Sequence, residues 1–251
     1  MLDLQKQASK YYWYHSVDLG NGVIIDGDYD IREVLLHYRF PERMDGMDVL
    51  DVGRGSGLFA FEFERRRAAV TATHICSFLD WDFVGGDEQR EARRKAIGDE
   101  QGFTVEHSAG AFEFASTMRK SRVTSKLINV YEMSPEAFGN RKFDLVFAGS
   151  ITSHLRDPIL AFERLYKLTK HRYIVASPSF EDPAVAHLPL MCLVGTMDSD
   201  RRGWWVMNGM CLIEVLRCAG FKQVRIVSQF ILPNRRVPSL KVPHLVAHAD
   251  V

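Results

Sequence analysis

The chain of 251 residues carries 32 Lys and Arg against 32 Asp and Glu, and 46% of its residues are hydrophobic. This length suits one compact domain with added segments, and the composition is that of a globular protein able to bury a sizeable core. The balanced charge provides no overall basic field that would attract nucleic acid, which disfavours a nucleic-acid partner without excluding one. No stretch is long and apolar enough to span a bilayer, and the first 15 residues lack the apolar core of a signal peptide. The sequence therefore predicts a cytoplasmic protein without membrane contact.

The cysteines show neither a C-x-x-C pair nor the spacing of metal ligands. Their positions are Cys76, Cys192, Cys211 and Cys218. We expect reduced, buried thiols and no metal site.

An aromatic segment comes first along the chain, at residues 11–15. It includes Trp13, Tyr14 and His15. These side chains could fold over an active site as a lid, and the alternative is that a terminal segment simply packs against the core.

A glycine-rich loop follows the apolar run at residues 47–50. Gly53, Gly55 and Gly57 stand at alternate positions after Asp51, and a helix-like run begins at Leu58. Glycines at this spacing let the backbone turn tightly and approach a ligand closely, while the N–H groups of the helix start face that ligand. The pattern predicts a strand, a cofactor-binding loop and a helix, and a purely structural turn is the alternative.

Strand-like and helix-like runs alternate through the rest of the chain. The predicted strands lie at residues 69–75, 126–132, 143–148, 173–177, 224–232 and 242–248. Predicted helices run from the glycine loop to about residue 67, over 87–97, from Asp157 and Pro158 onward, and over 211–216 up to Gly220. Asp157 can cap its helix, and Pro158 suits the first turn. The alternation predicts an α/β protein with a parallel sheet covered on both faces.

The spacing D-x-G-x-G-x-G at residues 51–57 resembles motif I of the class I S-adenosylmethionine (SAM) methyltransferases. Residues 13–22, 143–158 and 204–221 resemble further segments of one group in that family, the tRNA wobble-uridine carboxymethyltransferases and their small-molecule relatives. The resemblance implies a Rossmann-like fold with a mostly parallel seven-stranded sheet, helices on both faces and an N-terminal lid segment. It further implies a lid at residues 1–40 and a SAM-binding domain at 41–251, with residues 178–206 as an insertion that covers the substrate.

The same resemblance implies SAM as cofactor and a set of residues that bind it. Asp51 would lie near the methionine part, and Glu132 and Met133 would contact the adenine. The implied cofactor-binding residues are Asp51, Gly53, Gly55, Gly57, His74, Ile75, Glu132, Met133, Gly149 and Ser150.

Two residues depart from the family pattern. His74 stands where the family usually has Asp or Glu to bind both ribose hydroxyls, and an imidazole can make only one such hydrogen bond. Arg54 places a cation in the glycine loop, although the cofactor's sulfonium is itself positive. These changes are either tolerated or signs of weakened cofactor binding, and an inward-pointing Arg54 would suit a carboxylate.

Methyl transfer needs a general base only when the acceptor must lose a proton. His154 is the first candidate, because it follows a strand at the edge where parallel sheets bind ligands. An alternative role for it is to order the turn before Asp157. His15 and Tyr14 are the other candidates for the catalytic machinery, and His187 lies in the insertion with no predicted direction.

Three functions follow from these observations. The first is a SAM-dependent methyltransferase acting on a small molecule, with a planar or apolar acceptor suggested by the flat faces of the aromatic side chains. The second is a tRNA wobble-uridine methyltransferase or carboxymethyltransferase, which the neutral charge disfavours. The third is a binding or partner protein that has kept the fold without catalysis. The acceptor atom and homodimer formation stay open.

Overall fold

A computed structural model describes residues 2–20, 22–75, 105–194 and 203–251, with positions 82, 88, 91, 92 and 95 in addition. The helices are α1 (Leu2–Ala8), α2 (Leu58–Arg65), α3 (Val105–Arg119), α4 (Pro158–Leu168) and α5 (Gly209–Cys218). The strands are β1 (Val17–Asp18), β2 (Ile24–Ile25), β3 (Asp48–Val52), β4 (Ala69–His74), β5 (Thr124–Leu127), β6 (Phe143–Gly149), β7 (Thr169–Pro178), β8 (Met191–Leu193), β9 (Trp205–Met207), β10 (Gln223–Pro233) and β11 (Lys241–Asp250). Short 3₁₀ helices cover Ile31–Tyr38, Val130–Glu132, Glu136–Phe138 and Thr152–His154. None of the helices in these ranges is both long and apolar enough to cross a membrane.

Seven strands form the central sheet, in the order β10-β11-β7-β6-β3-β4-β5. The pairs among β5, β4, β3, β6 and β7 are parallel, whereas β11 runs antiparallel to both β7 and β10. The carboxyl ends of the five parallel strands therefore meet at one edge, where folds of this type bind ligands. The predicted fold class, a mostly parallel seven-stranded Rossmann-like sheet with helices, is confirmed.

Alternating side chains of each central strand enter two separate apolar layers, one on each face of the sheet. Along β6, Leu145 and Phe147 join the layer formed with α2, α3 and the N-terminal segment. Val146 and Ala148 join the opposite layer, with α4 and α5. This period of two is what a strand buried on both faces requires.

The structure differs from several of the sequence-based predictions. The bounds predicted for the third strand, 126–132, are wrong, because β5 covers Thr124–Leu127 and Val130–Glu132 form a 3₁₀ helix capped by Asn129. The insertion 178–206 contains the antiparallel pair β8 and β9. Cys192 and Cys218 are exposed rather than buried. Most of the predicted helix at 87–97 lies outside the described residues.

The helix predicted at Asp157 is confirmed. Asp157 accepts a hydrogen bond from the Leu160 N–H at 2.9 Å, and Pro158 occupies the first turn of α4. This cap fixes the start of α4 directly after the 3₁₀ helix Thr152–His154, and so orients the chain that leaves β6.

The N-terminal segment packs into the same apolar layer as α2 and α3. Trp13 is 4% exposed, donates from Nε1 to the Ala8 carbonyl at 2.9 Å and meets the Phe114 ring edge-on at 6.3 Å. Val17 and Ile31 are also buried in this layer. The assignment of residues 1–40 as a lid stays a prediction.

Candidate active site

The glycine loop leaves β3 at the carboxyl edge of the sheet. Gly53, Gly55 and Gly57 all have positive φ, at 82°, 51° and 95°. Gly57 is the N-cap of α2, and a Cβ there would lie 2.5 Å from the Phe61 ring and 2.7 Å from the Phe112 ring. Backbone conformation and packing therefore both require glycine at position 57.

Asp51 lies beneath this loop as a buried carboxyl group. It is 1% exposed, and its Oδ2 has no hydrogen-bond partner among the described residues. Burial raises the pKa of Asp51 to about 7, against the opposing effects of the Ala60 N–H and the Arg54 charge. A buried acceptor without a partner carries a desolvation cost, which a ligand donor would relieve.

Arg54 points into the protein and away from solvent. Its side chain is 2% exposed, and the guanidinium lies 3.8 Å from the centroid of the Phe112 ring. Its Nη1 donates to the Ser125 hydroxyl and to Glu113 Oε1, the latter at 3.4 Å. Burial lowers the pKa of Arg54 to about 10, and the group stays cationic at neutral pH. The Arg54 guanidinium in the loop therefore binds side chains of α3 and β5.

His74 ends β4, beside the loop. Its Nδ1 lies 3.2 Å from the Ile75 carbonyl, which can only accept, so Nδ1 carries the proton in this contact and Nε2 is the ring's other nitrogen. Burial and then the Arg54 charge lower the pKa of His74. A neutral, half-buried imidazole therefore occupies the strand end where the family resemblance implies a ribose contact.

Tyr14 and His15 lie across the glycine loop. The Tyr14 N–H donates to the Ser56 hydroxyl at 2.9 Å. A Cβ at Gly55 would lie 3.3 Å from the His15 ring, which also meets the Phe59 ring edge-on at 5.7 Å. Burial lowers the pKa of His15 to about 4, and its Nδ1 has no partner within the described chain. His15 is therefore a neutral side chain in contact with the loop.

The 3₁₀ helix that follows β5 and the end of β6 carry further predicted residues. Glu132 is exposed, whereas Met133 is 1% exposed and its N–H donates to the Val130 carbonyl at 3.3 Å. An adenine ring would compete with that carbonyl for the Met133 N–H. Gly149 ends β6, and a Cβ there would contact the Phe147 ring at 3.0 Å.

His154 lies one turn beyond Ser150, in the 3₁₀ helix Thr152–His154. It is half-buried, and its N–H donates to the Ile151 carbonyl at 2.9 Å. The carbonyl of the neighbouring Ser153 accepts from the Trp204 N–H at 2.6 Å, which attaches the insertion to this turn.

One further histidine, His244, belongs to this edge of the sheet and was missed by the sequence analysis. Its Nε2 lies 2.9 Å from the Ser150 hydroxyl, although the two residues are 94 positions apart. His244 sits inside the strand-like run at 242–248, and no local pattern distinguishes it from a core residue.

A cavity of about 360 Å³ lies apart from this edge, between β2, the 3₁₀ helix Ile31–Tyr38 and the end of β10. Two of its acidic groups are already paired, because Asp30 contacts Arg32 and Asp26 lies 2.6 Å from Arg235. The glycine loop and the predicted site residues do not line it.

No family model and no curated protein matches this chain. Solved structures do. The N-terminal domain of EvdMO1, crystallised in the presence of SAH and D-fucose, is 13% identical with a TM-score of 0.56, covering all of this chain and 96% of that one. The longer EvdMO1 structure is 14% identical with a TM-score of 0.53, and this chain covers 47% of its length. Magnesium protoporphyrin IX methyltransferase (ChlM) from Synechocystis PCC 6803, with bound SAH, is 14% identical with a TM-score of 0.50, covering 82% of this chain and 74% of that chain. These likenesses establish the class I methyltransferase fold.

Proposed function

We propose that the protein is a SAM-dependent methyltransferase acting on a small-molecule acceptor. The observation that carries the proposal is the unpartnered Oδ2 of Asp51, buried under a loop of three positive-φ glycines. SAM bears an ammonium group in its methionine part, and this cation is the kind of donor that a buried carboxylate requires. The structures of similar fold that contain SAH support the same cofactor.

The residues present fit such a cofactor. Asp51 would receive the ammonium group, the loop at Gly53 and Gly55 would admit the methionine chain, and His74 would contact the ribose through Nε2. Bound SAM supplies an electrophilic methyl group on a sulfonium. The protein then has to exclude water and align the acceptor with that methyl group. The other implied contacts are those of Gly57, Ile75, Glu132, Met133, Gly149 and Ser150.

Aromatic side chains at the same edge support a planar or apolar acceptor. The rings of Trp204 and Trp205 lie 6.4 Å apart, and Trp205 Nε1 donates to the Arg156 carbonyl at 3.0 Å. Tyr14 lies on the other side of the glycine loop, against the Tyr29 ring at 5.1 Å. Flat faces of this kind favour a planar acceptor over a phosphate.

The tRNA-modifying alternative has less support. Phosphate contacts need available Lys and Arg side chains. At the end of α2, Arg65 and the following Arg66 both bind Glu62 at 2.8 Å, and Arg67 lies 3.4 Å from Asp45. These basic residues already pair with carboxylates of the protein.

Isothermal titration calorimetry with SAH tests the proposal directly. We expect measurable binding by the purified protein. Incubating the protein with radiolabelled SAM and each member of a panel of candidate planar acceptors would then identify the methylated product. Failure of the well-folded protein to bind SAM or SAH would contradict the proposed function. Binding without transfer to any acceptor would favour the non-catalytic alternative.

His74→Asp is expected to tighten SAH binding by about 1 kcal/mol, or about fivefold, because a charged acceptor would replace a neutral one at the ribose. The same calorimetric titration measures this change. His171→Asp is the matched control, since His171 is exposed and lies at the amino end of β7, away from the site. Weaker binding by His74→Asp would mean that the imidazole itself makes the contact.

A further inference from the structure

Ser150 occupies the first position after β6 in a backbone conformation that favours glycine. Its φ is 59°, and its N–H donates to the Ala176 carbonyl at 2.8 Å. A non-glycine residue in the left-handed region is strained. The Ser150 side chain is half-exposed, so its hydroxyl lies at the carboxyl edge of the sheet. Glycine would adopt this backbone conformation more easily.

His244 is fixed in one tautomer beside that hydroxyl. Its Nδ1 lies 2.9 Å from the Val242 carbonyl, and because a carbonyl can only accept, Nδ1 carries the proton. Nε2 is therefore an acceptor, and Ser150 donates its hydroxyl proton to it at 2.9 Å. The ring is 3% exposed and stacks on Phe230, with centroids 5.2 Å apart and an interplanar angle of 14°. This packing holds the imidazole in place.

The Ser150–His244 pair is close to the glycine loop. Strand β6 pairs with β3 up to Val52 and Ala148, so both chains leave the sheet side by side. A Cβ at Gly53 would lie 2.7 Å from Cγ2 of Ile151, the residue after Ser150. The loop that would hold the cofactor and the serine turn are therefore in direct contact.

We propose that Ser150 and His244 receive the proton of the methyl acceptor, which makes the acceptor a hydroxyl compound such as a phenol or an alcohol. This inference rests on the proposed function. As the acceptor oxygen bonds to the methyl carbon, the bond from sulfur to that carbon breaks and its electron pair stays on sulfur. The acceptor proton passes to Ser150 Oγ, and the Ser150 proton passes to His244 Nε2. The products are a methyl ether, neutral SAH and an imidazolium at His244.

The surroundings of His244 favour its neutral form. Burial lowers the pKa of His244 to about 4, so the ring is neutral at physiological pH and its Nε2 lone pair is available. The Nδ1 atom of His15, by contrast, has no hydrogen-bond partner within the described residues.

Covalent labelling with phenylmethanesulfonyl fluoride tests the pair without a known acceptor. In that reaction Ser150 Oγ bonds to sulfur, fluoride leaves and the hydroxyl proton goes to His244 Nε2. Peptide mass spectrometry should show Ser150 labelled at least about tenfold faster than other serines, as expected for a base-assisted hydroxyl. His244→Gln should reduce the rate at least about tenfold, because an amide can accept the Ser150 hydrogen bond but cannot take its proton. Ser153→Ala, in the neighbouring turn, should leave the Ser150 rate unchanged.

Calorimetry with SAH on the same variants separates this inference from the proposed function. His244→Gln should bind SAH within about twofold of wild type, which also shows that it folds. Unexceptional labelling of Ser150, or labelling that His244→Gln leaves unchanged, would overturn the proton-accepting role even if SAH binds. Fast, His244-dependent labelling in a protein that fails to bind SAH would instead support proton transfer from Ser150 to His244 and contradict the methyltransferase assignment.

Discussion

Replacing Asp51 by Asn is expected to weaken SAH binding by about tenfold to 100-fold while stabilising the ligand-free protein at slightly alkaline pH. The loss of affinity follows because Asn removes the negative charge that would hold the ammonium group. The gain in stability follows because the wild-type carboxyl must ionise inside the protein without a full set of partners. Calorimetry and urea unfolding measure the two effects, with the exposed Glu163→Gln as the control.

The pH dependence of Asp51→Asn has a defined sign. The folded-state pKa of Asp51 is raised to about 7, so the folded protein binds more protons than the unfolded chain between about pH 4 and pH 7. The free energy of unfolding of the wild type therefore loses up to about 4 kcal/mol from this group as pH rises through that range. His15 and His244 have pKa values lowered to about 4, so their contributions to the free energy of unfolding rise with pH instead. Both histidines are present in wild type and variant, so the difference between their free energies of unfolding reports on Asp51 alone. An Asn variant with unchanged SAH affinity and no relative stabilisation at high pH would contradict the assignment.

Trp13→Ala is expected to lower the free energy of unfolding by about 3–5 kcal/mol, the usual cost of removing a large buried aromatic side chain. Trp13 fills the space against Phe114 and is 4% exposed. Chemical denaturation measures the loss, and Trp13→Phe should recover part of it. Leu36→Ala is the control, because Leu36 is 87% exposed.

The Trp13 result separates two descriptions of the N-terminal segment. A cost below about 1 kcal/mol would show that the segment is a removable lid, with little role in the core. A cost in the expected range would mean that deleting residues 1–16 prevents stable folding, so its effect on methyl transfer would not report a lid.

Local patterns in the sequence were sufficient for the centre of the fold. The turn at Gly53, Gly55 and Gly57 and the cap at Asp157 were predictable because their physical causes lie within a few residues of one another. Helix α3 was missed, since its described stretch interleaves small, apolar and polar residues without a clear apolar stripe. The predicted end of β5 was wrong because Val130 and Tyr131 are residue types common in strands. In the structure the Asn129 side chain accepts a hydrogen bond from the Tyr131 N–H and starts a 3₁₀ helix.

The candidate site was predictable only in part. The resemblance brought Asp51, His74, Gly149 and Ser150 to one edge of the sheet, and the topology places them there. It could not give the direction of Arg54, which depends on Phe112 and Glu113 in a helix that was not predicted. The Ser150 contact with His244 arises from tertiary packing, and no spacing rule connects residues so far apart.

The position of β11 has a consequence for biosynthesis. This strand is made after β7 and β10, yet it lies between them in the sheet. Until residues 241–250 have been synthesised, β10 has no partner in the sheet, and the edge of β7 presents unpaired backbone groups. Such late, non-local pairing slows folding and exposes an edge to other chains. Ser150 therefore cannot meet His244 before β11 has been synthesised, and a ribosome that stalls before residue 241 would leave a nascent chain that has its glycine loop but lacks the His244 contact.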